Sequence, residues 1–279
     1  MSFVTSSEML IRARGAGYAI GAFNIENLEM MQAVIAAAER MNSPVILQTT
    51  PGTLAYIPPE AFAGAAKPLA EKAGVPVALH LDHGNSFGLA VRCKNAGYTS
   101  LMIDGSLLPY EQNIALTYSV VSAAGDIPVE AELGTVGGKE DSHSAGVLYT
   151  DPAQAEDFVS RTGIFSFAPA IGTCHGVYKS EPELQLDLLS KIGLSVSAPL
   201  VLHGTSGVPD DTVRECIRHG ISKVNYATDL RVTFTKAVKE YLAQNPDTID
   251  PKKPLGAARA AVEERVRELI AVCGSAGKA

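Results

Sequence analysis

The chain has 279 residues, of which 46% are hydrophobic and 19% charged, and its formal net charge is −7 at pH 7. This composition is typical of a globular protein with a large core, and the length allows one barrel-sized domain or two smaller ones. The negative charge, without any block of about five basic residues, argues against binding to nucleic acid. No apolar stretch approaches the roughly 20 residues of a membrane span, and the N-terminal segment lacks signal-peptide features, so we expect a cytoplasmic protein without membrane contact.

Eight short apolar segments alternate with helical patterns along the chain. Residues 29–41 illustrate the helices, because Met30, Met31, Val34 and Ile35 recur on one face at helical spacing. The segment M-N-S-P then ends this helix before the next apolar run. The predicted strands are, in chain order, residues 18–24, 45–50, 77–82, 100–104, 129–134, 165–172, 200–203 and 223–228.

Strands that alternate with helices favour a parallel sheet, and eight such units favour a closed (β/α)8 or TIM barrel. The alternative is an open, doubly wound sheet, which normally carries a glycine-rich fingerprint after its first strand. This chain has N-I-E-N at that point instead. We therefore predict an α/β fold in which residues 1–279 form one barrel domain.

Three histidines each follow an apolar run and precede a glycine. They are His83 in V-A-L-H-L-D-H-G, His175 in I-G-T-C-H-G and His203 in L-V-L-H-G. Working residues of barrels lie at the carboxyl ends of strands, and three imidazoles leave a metal an open coordination position, as in catalytic zinc sites. Strand alternation directs His80 and Asp82 into the barrel, so Asp82 would lie beside a metal bound to His83. We expect His80 to be a packed residue and not a ligand.

The segment after the fifth predicted strand is rich in glycine and acidic residues. Residues 137–146 include two consecutive glycines ahead of Glu140 and Asp141. Such a loop could carry a carboxylate over a bound substrate. The alternative is a flexible surface loop with ordinary acidic residues.

Small residues and hydroxyls follow the seventh and eighth predicted strands. The runs H-G-T-S-G (203–207) and N-Y-A-T-D (225–229) offer backbone amides near helix N-termini, where barrels often hold phosphate. Lys179 lies shortly after the second histidine. Helix capping by Ser206 and Thr228 is compatible with this interpretation. A Lewis-acid metal, a phosphate site and two carboxylates together suit making or breaking a carbon–carbon bond beside a phosphorylated ketone.

The chain resembles the class II, zinc-dependent ketose-bisphosphate aldolases nearly from end to end. The resemblance is carried by L-H-L-D-H-G, V-E-A-E-L-G-x-x-G-G-x-E-D, A-I-G-T-x-H-G-x-Y, L-V-L-H-G-x-S-G and K-V-N-x-A-T. It implies reversible cleavage of a ketose 1,6-bisphosphate to dihydroxyacetone phosphate and glyceraldehyde 3-phosphate. It also implies Zn2+ as cofactor, a monovalent cation (Na+ or K+) near the phosphate, and a homodimer or homotetramer.

The resemblance also assigns roles to individual residues. Asp82 matches the acid/base residue at the C4 hydroxyl, Glu140 the residue that exchanges a proton with the dihydroxyacetone phosphate carbon, and Asn225 the residue that stabilises the enediolate. Asp104 and Glu132 match a second or displaced metal position. The matched zinc ligands are His83, His175 and His203. The matched phosphate cradle consists of Gly176, Gly204, Thr205, Ser206, Asn225, Tyr226, Ala227 and Thr228, to which Lys179 is added from its position in the sequence.

Two positions bear on the choice of sugar. Ala227 stands where fructose-bisphosphate enzymes usually carry Asp or Asn, so the chain is more similar to the tagatose-bisphosphate branch there. Tyr226 replaces a common aliphatic residue. Arg259 could reach the second phosphate, in the same or a neighbouring subunit, or lie on a solvated helix face.

Several alternatives to a tagatose-bisphosphate aldolase remain at this point. Fructose 1,6-bisphosphate or another phosphorylated ketose could be the substrate, and a non-catalytic barrel subunit could stabilise a catalytic partner. A metal-dependent hydrolase would usually carry H-x-H after the first strand, where this chain has F-N-I. A Schiff-base aldolase is disfavoured by the expectation that no lysine lies inside an apolar strand.

Overall fold

Eight parallel strands close into a barrel, which confirms the predicted (β/α)8 fold in a single domain. The structure is a computed structural model that describes residues 2–134, 137–138, 149–176 and 182–279. The strands neighbour one another in the order β1-β2-β3-β4-β5-β7-β9-β10, and β10 pairs with β1. The barrel strands are β1 (Ile20–Asn24), β2 (Val45–Thr49), β3 (Val77–Gly84), β4 (Ser100–Ile103), β5 (Val129–Leu133), β7 (Ser166–Pro169), β9 (Leu200–Leu202) and β10 (Ile221–Tyr226). Two short strands outside the barrel, β6 (Gly137–Gly138) and β8 (Cys174–His175), pair with each other.

The helices lie between the strands and begin and end at recognisable signals. The helix after β1, for example, begins where the Asn27 side chain accepts a hydrogen bond from the Met30 amide at 2.9 Å, and it ends at Asn42 in the left-handed conformation. No helix in the described part of the chain is long and apolar enough to cross a membrane. The helices are α1 (Ser6–Ala16), α2 (Leu28–Met41), α3 (Pro51–Tyr56), α4 (Pro59–Lys72), α5 (Phe87–Ala96), α6 (Tyr110–Ala124), α7 (Pro152–Thr162), α8 (Leu186–Ser195), α9 (Asp210–Arg218), α10 (Thr228–Gln244) and α11 (Lys252–Cys273).

The barrel interior holds an apolar cluster near the amino ends of the strands and more polar residues toward the carboxyl ends. Ile20, Ala22 and Ile46 pack inside the barrel against Met9 and Leu10 of α1, which closes the amino end of the strands. Burial of one such Leu side chain stabilises the fold by about 2 kcal/mol. Toward the carboxyl ends of the strands the inward positions become polar, and these positions build the candidate site.

One expectation about the strands is wrong. β10 begins at Ile221, which pairs with Leu200, so Lys223 lies inside the strand and not at its start. Its side chain is 1% exposed and donates to Glu130 Oε2 at 2.8 Å. A lysine therefore does lie inside an apolar strand, contrary to the expectation that disfavoured a Schiff-base aldolase.

Candidate active site

A bulge in β3 brings two consecutive side chains to the mouth of the barrel. The register between β3 and β4 shifts between Leu81 and Gly84, and His83 adopts a φ of 47°, which is rare outside glycine. In a regular strand Asp82 and His83 would point to opposite faces. Because of the bulge, both reach the carboxyl end of the barrel.

The three strand-end histidines meet at this end. One ligand atom each of His83, His175 and His203 lies within 4.8 Å of the others, so the three could hold a metal ion. His83 forms a second possible metal-binding group with Asp104 and Glu132. The structure thus brings together all five residues that the sequence connected with metal binding.

Hydrogen bonds to two carboxylates orient two of these rings. His83 Nδ1 lies 2.8 Å from Asp104 Oδ2, and His203 Nε2 lies 2.8 Å from Glu130 Oε1. An ionised carboxylate only accepts, so each ring donates from that nitrogen. The remaining nitrogens, Nε2 of His83 and Nδ1 of His203, face each other at 2.9 Å, and the Asn225 amide also approaches His203 Nδ1 at 3.3 Å. Facing lone pairs repel unless a proton or a cation lies between them, so this donor set fits a metal ion.

The pKa values of the site follow from burial and charge. Burial, followed by the neighbouring histidines, lowers the pKa of His175 well below its usual value, and burial also lowers the pKa of His203. Burial acts in the same direction on His83, but the charges of Asp82 and Asp104 outweigh it and raise the pKa of His83 well above its usual value. Neutral imidazole is the form that binds metal, so a metal would displace a proton from His83.

Asp82 is held by amides on both of its oxygens. Asn24 Nδ2 donates to Oδ2 at 2.8 Å and Asn225 Nδ2 donates to Oδ1 at 3.1 Å. Gln48 in turn donates to Asn24 Oδ1 at 2.6 Å, which fixes the orientation of that amide. Burial raises the pKa of Asp82, but the charges of His83 and other neighbouring groups outweigh it and lower the pKa overall. Asp82 is therefore an ionised, oriented carboxylate that can accept a proton.

A pocket beside Asp82 and His175 is lined by small residues and backbone. Gly204 adopts a φ of +64°, and a Cβ there would lie 2.7 Å from the Cys174 carbonyl oxygen, so the close approach of the two loops requires glycine. Ser206 Oγ accepts from the Asp229 amide at 3.1 Å at the start of α10, in agreement with its predicted capping role. Thr228, the other predicted capping residue, is the first residue of the helix, and the N-cap position is Ala227. The lining residues are Asn24, Asp82, His175, Gly176, Gly204, Thr205, Ser206, Asn225, Ala227 and Thr228.

The profile of the family described as "Fructose-bisphosphate aldolase class-II" matches residues 4–278. The chain belongs to this family. It is accordingly a class II ketose-bisphosphate aldolase, a carbon–carbon lyase of a generally metal-dependent class.

Its relatives carry the names of more than one sugar. The chain is 44% identical to the D-tagatose-1,6-bisphosphate aldolase subunit GatY of Klebsiella oxytoca and 45% identical to a probable fructose-bisphosphate aldolase of Bacillus subtilis, with both chains of each pair fully covered. The crystal structure of the YdjI aldolase from Escherichia coli K12 superposes with a TM-score of 0.89 at 40% identity, over 99% of either chain. These relatives agree in the family and differ in the sugar that their names give.

Some predicted site residues of the aldolase lie away from the pocket. The Tyr226 ring is buried and stacks on Phe23 at 5.7 Å, with its hydroxyl 3.8 Å from Cys273 Sγ. Arg259 is on the outer surface, where it donates to Gln32 Oε1 at 2.9 Å. The predicted residues Glu140 and Lys179 lie outside the described residues.

Four residues of the aldolase site were not predicted from the sequence or had no predicted role. Asn24 and Gln48 orient Asp82, and both were recognisable as polar residues near the ends of predicted strands. Glu130 and Lys223 contact His203 or each other in the barrel interior. Period-two alternation is the signal that could have found them, because Glu130 shares a strand face with Glu132, and Lys223 shares one with Asn225. The remaining residues assigned from the sequence lie at the mouth as expected.

Proposed function

We propose that this aldolase uses Zn2+ to cleave a ketose 1,6-bisphosphate reversibly to dihydroxyacetone phosphate and glyceraldehyde 3-phosphate, with tagatose 1,6-bisphosphate as the favoured substrate. The main support is the convergence of three histidines beside the ionised Asp82. Three ring nitrogens suit zinc in a catalytic site with an open position. His83, His175 and His203 would hold the ion, which when bound supplies a Lewis acid for the ketose carbonyl.

The protein's own groups would move two protons. Asp82 accepts the C4 hydroxyl proton as the C3–C4 bond breaks and the aldehyde product forms. Its charge and orientation suit this role, since amides hold both carboxylate oxygens. Asn225, which also contacts His203, would donate to the oxygen on which charge develops. Glu140 then returns a proton to the dihydroxyacetone phosphate carbon. In the condensation direction each transfer runs in reverse.

The pocket next to Asp82 suits the phosphate of dihydroxyacetone phosphate. Its walls are the backbone of Gly176 and Gly204, the hydroxyls of Thr205 and Ser206, and the beginning of α10 at Thr228. A helix N-terminus favours an anion through its free amides and its dipole. In the proposal Lys179 and a monovalent cation, Na+ or K+, complete this phosphate site. Tyr226 would contribute through its backbone alone.

The preference for tagatose 1,6-bisphosphate rests on Ala227, which lines the pocket, together with the resemblance to the tagatose branch. The second phosphate would meet Arg259 of the same or a neighbouring subunit in a homodimer or homotetramer. Fructose 1,6-bisphosphate is the second candidate, because the Bacillus subtilis relative is equally similar over its full length. The Klebsiella oxytoca relative is named a subunit, so a stabilising partner subunit belongs to the proposal as well.

Steady-state cleavage of tagatose and fructose 1,6-bisphosphates by metal-quantified protein, with and without a chelator, tests the proposal. We expect chelator-sensitive cleavage with a preference for tagatose 1,6-bisphosphate. A preference for the fructose substrate would reverse the assignment of the sugar. Zinc-loaded protein that cleaves neither would indicate another phosphorylated ketose or a missing partner subunit. Cleavage that survives complete removal of zinc would overturn the metal mechanism.

A further inference from the structure

Glu130 and Lys223 form a charged pair inside the barrel, next to one of the candidate metal ligands. They belong to β5 and β10, which are not neighbours, so the pair spans the barrel interior. Lys223 Nζ donates to Glu130 Oε2 at 2.8 Å, and Glu130 Oε1 accepts from His203 Nε2 at 2.8 Å. All three side chains are buried. Because desolvation offsets much of the attraction in such a pair, stability alone is a weak explanation for it.

We propose that Glu130 and Lys223 are positioning residues that fix the tautomer of His203 for metal binding, an inference that rests on the proposed zinc function. An ionised carboxylate only accepts hydrogen bonds, so His203 must carry its hydrogen on Nε2. Its Nδ1 is then a lone pair, aimed at His83 Nε2 at 2.9 Å. Lys223 supplies the compensating charge that allows the buried Glu130 to remain a pure acceptor.

The contacts on the other side of Lys223 have donors and acceptors that are consistent with this tautomer of His203. Lys223 Nζ lies 3.4 Å from His80 Nε2, and His80 Nδ1 lies 2.7 Å from Ser100 Oγ. An ammonium only donates, so His80 accepts on Nε2 and carries its hydrogen on Nδ1. Ser100 also accepts from Ser6 of α1 at 2.9 Å. A buried chain of contacts thus runs from α1 to His203, and the charges of Lys223 and Glu130 determine which atoms in it donate.

Glu130→Gln tests this directly, because it keeps the shape and changes one acceptor into a donor. The Lys223 ammonium holds the new amide oxygen, so the amide NH2 faces His203 Nε2. His203 must then accept there and carry its hydrogen on Nδ1, where the metal would bind. We expect zinc affinity to fall by about 10–100-fold, the usual effect of removing a partner that orients a ligand.

The double variant Glu130→Gln with Lys223→Met separates tautomer control from a loss of packing. Without the ammonium, the oxygen of the introduced amide is free to accept from His203 Nε2, so the original tautomer returns. We expect the double variant to recover at least about tenfold of the lost zinc affinity. If the pair acted only through its packing, a second substitution would bring no recovery. Removal of the unpaired ammonium would also relieve a purely electrostatic effect, so the assignment of the coordinating nitrogen of His203 is needed to identify tautomer control.

Zinc affinity is measured on the full chain, purified with zinc, by competition with a chelator of known affinity. Ser100→Ala is the matched control, since it removes the hydrogen bond to His80 without touching Glu130, and we expect wild-type zinc affinity for it. Thermal midpoints show that each variant is folded. Wild-type zinc affinity in Glu130→Gln, or no recovery in a folded double variant, overturns the inference. A wild-type chain that does not bind zinc would instead overturn the proposed function.

A second measurement needs no substitution and applies even if the double variant does not fold. In zinc-loaded wild-type protein labelled with 15N-histidine, long-range proton–nitrogen correlations identify the nitrogen that coordinates the metal in each ring. We expect the His203 ring to coordinate through Nδ1 and to carry a hydrogen on Nε2. Spectra in which the His203 ring coordinates through Nε2 would contradict the inference.

Discussion

Replacing Asp82 with Asn removes one charge from the site and keeps the size of the side chain, but it also changes the hydrogen bonding of Asn225. The new side chain must offer an acceptor to Asn24, because the Asn24 amide is held in place by its hydrogen bond from Gln48. Its NH2 then faces Asn225 Nδ2, and two donors meet. Asn225 can resolve this clash by turning over, since among the described residues its Oδ1 has no hydrogen-bond partner. The cost in stability is about one hydrogen bond, on the order of 1 kcal/mol.

The expected effect on catalysis is much larger than this structural cost. Loss of a positioned general base lowers the rate by about 10²–10⁴-fold. This corresponds to about 3–5 kcal/mol of transition-state stabilisation. Asp82 does not belong to either group of candidate metal ligands, so zinc loading should be unchanged.

The assay combines kcat for cleavage of the preferred sugar bisphosphate, zinc content and the free energy of unfolding. Asp82→Ala serves as the second variant, and we expect it to be at least as inactive with zinc still bound. The reasoning is refuted if Asp82→Asn retains kcat within about tenfold of wild type, below the range for a lost general base. It is also refuted if the loss of activity follows a loss of zinc.

Three further substitutions or treatments test other parts of the structure. Gly204→Ala should lower the free energy of unfolding by about 1–3 kcal/mol in denaturant titrations, because its Cβ would collide with the Cys174 backbone. Burial lowers the pKa of His80 to about 3, so the unfolded chain binds this proton first and stability falls as pH drops from about 6.5 toward 3. In denaturation from pH 4 to 6, His80→Gln should reduce this slope by about 1.4 kcal/mol per pH unit, and an unchanged slope would contradict the pKa. Borohydride with dihydroxyacetone phosphate should leave Lys223 unmodified by mass spectrometry, since its amine is ion-paired with Glu130.

The order of strands and helices was predictable because each element has its own local signal. Apolar runs and helical spacing located all eight barrel strands. Strand ends were less predictable, because they depend on pairing with a neighbour. Ile221, for example, belongs to β10 because it pairs with Leu200 of β9, and the apolar pattern alone did not show this. Because β10 begins at Ile221, Lys223 lies inside the strand and faces the barrel interior, and it is not at the start of the strand.

The site was predictable where one strand end supplied one recognisable group. The strand-end histidines and Asp82 are of this kind, and the structure brings them together. The pair of Glu130 and Lys223 is of another kind, since its residues come from strands on different sides of the barrel. Period-two alternation predicts on which face of the sheet a side chain lies. It does not predict which inward-facing residues of two distant strands lie at the same height along the barrel axis. A buried carboxylate and a buried lysine therefore looked unrelated in the sequence.

The motif N-Y-A-T illustrates which sequence differences within the family can affect the choice of substrate. Asn225 points into the barrel and holds Asp82, whereas the next side chain, Tyr226, packs against Phe23 on the outside of the sheet. The unusual tyrosine thus supports the strand from behind and does not form the wall of the pocket. Ala227 does line the pocket, and it leaves space where a larger polar residue would face the substrate. Within this motif, the difference most able to change the preferred sugar is therefore Ala227, in the loop where the chain leaves the barrel.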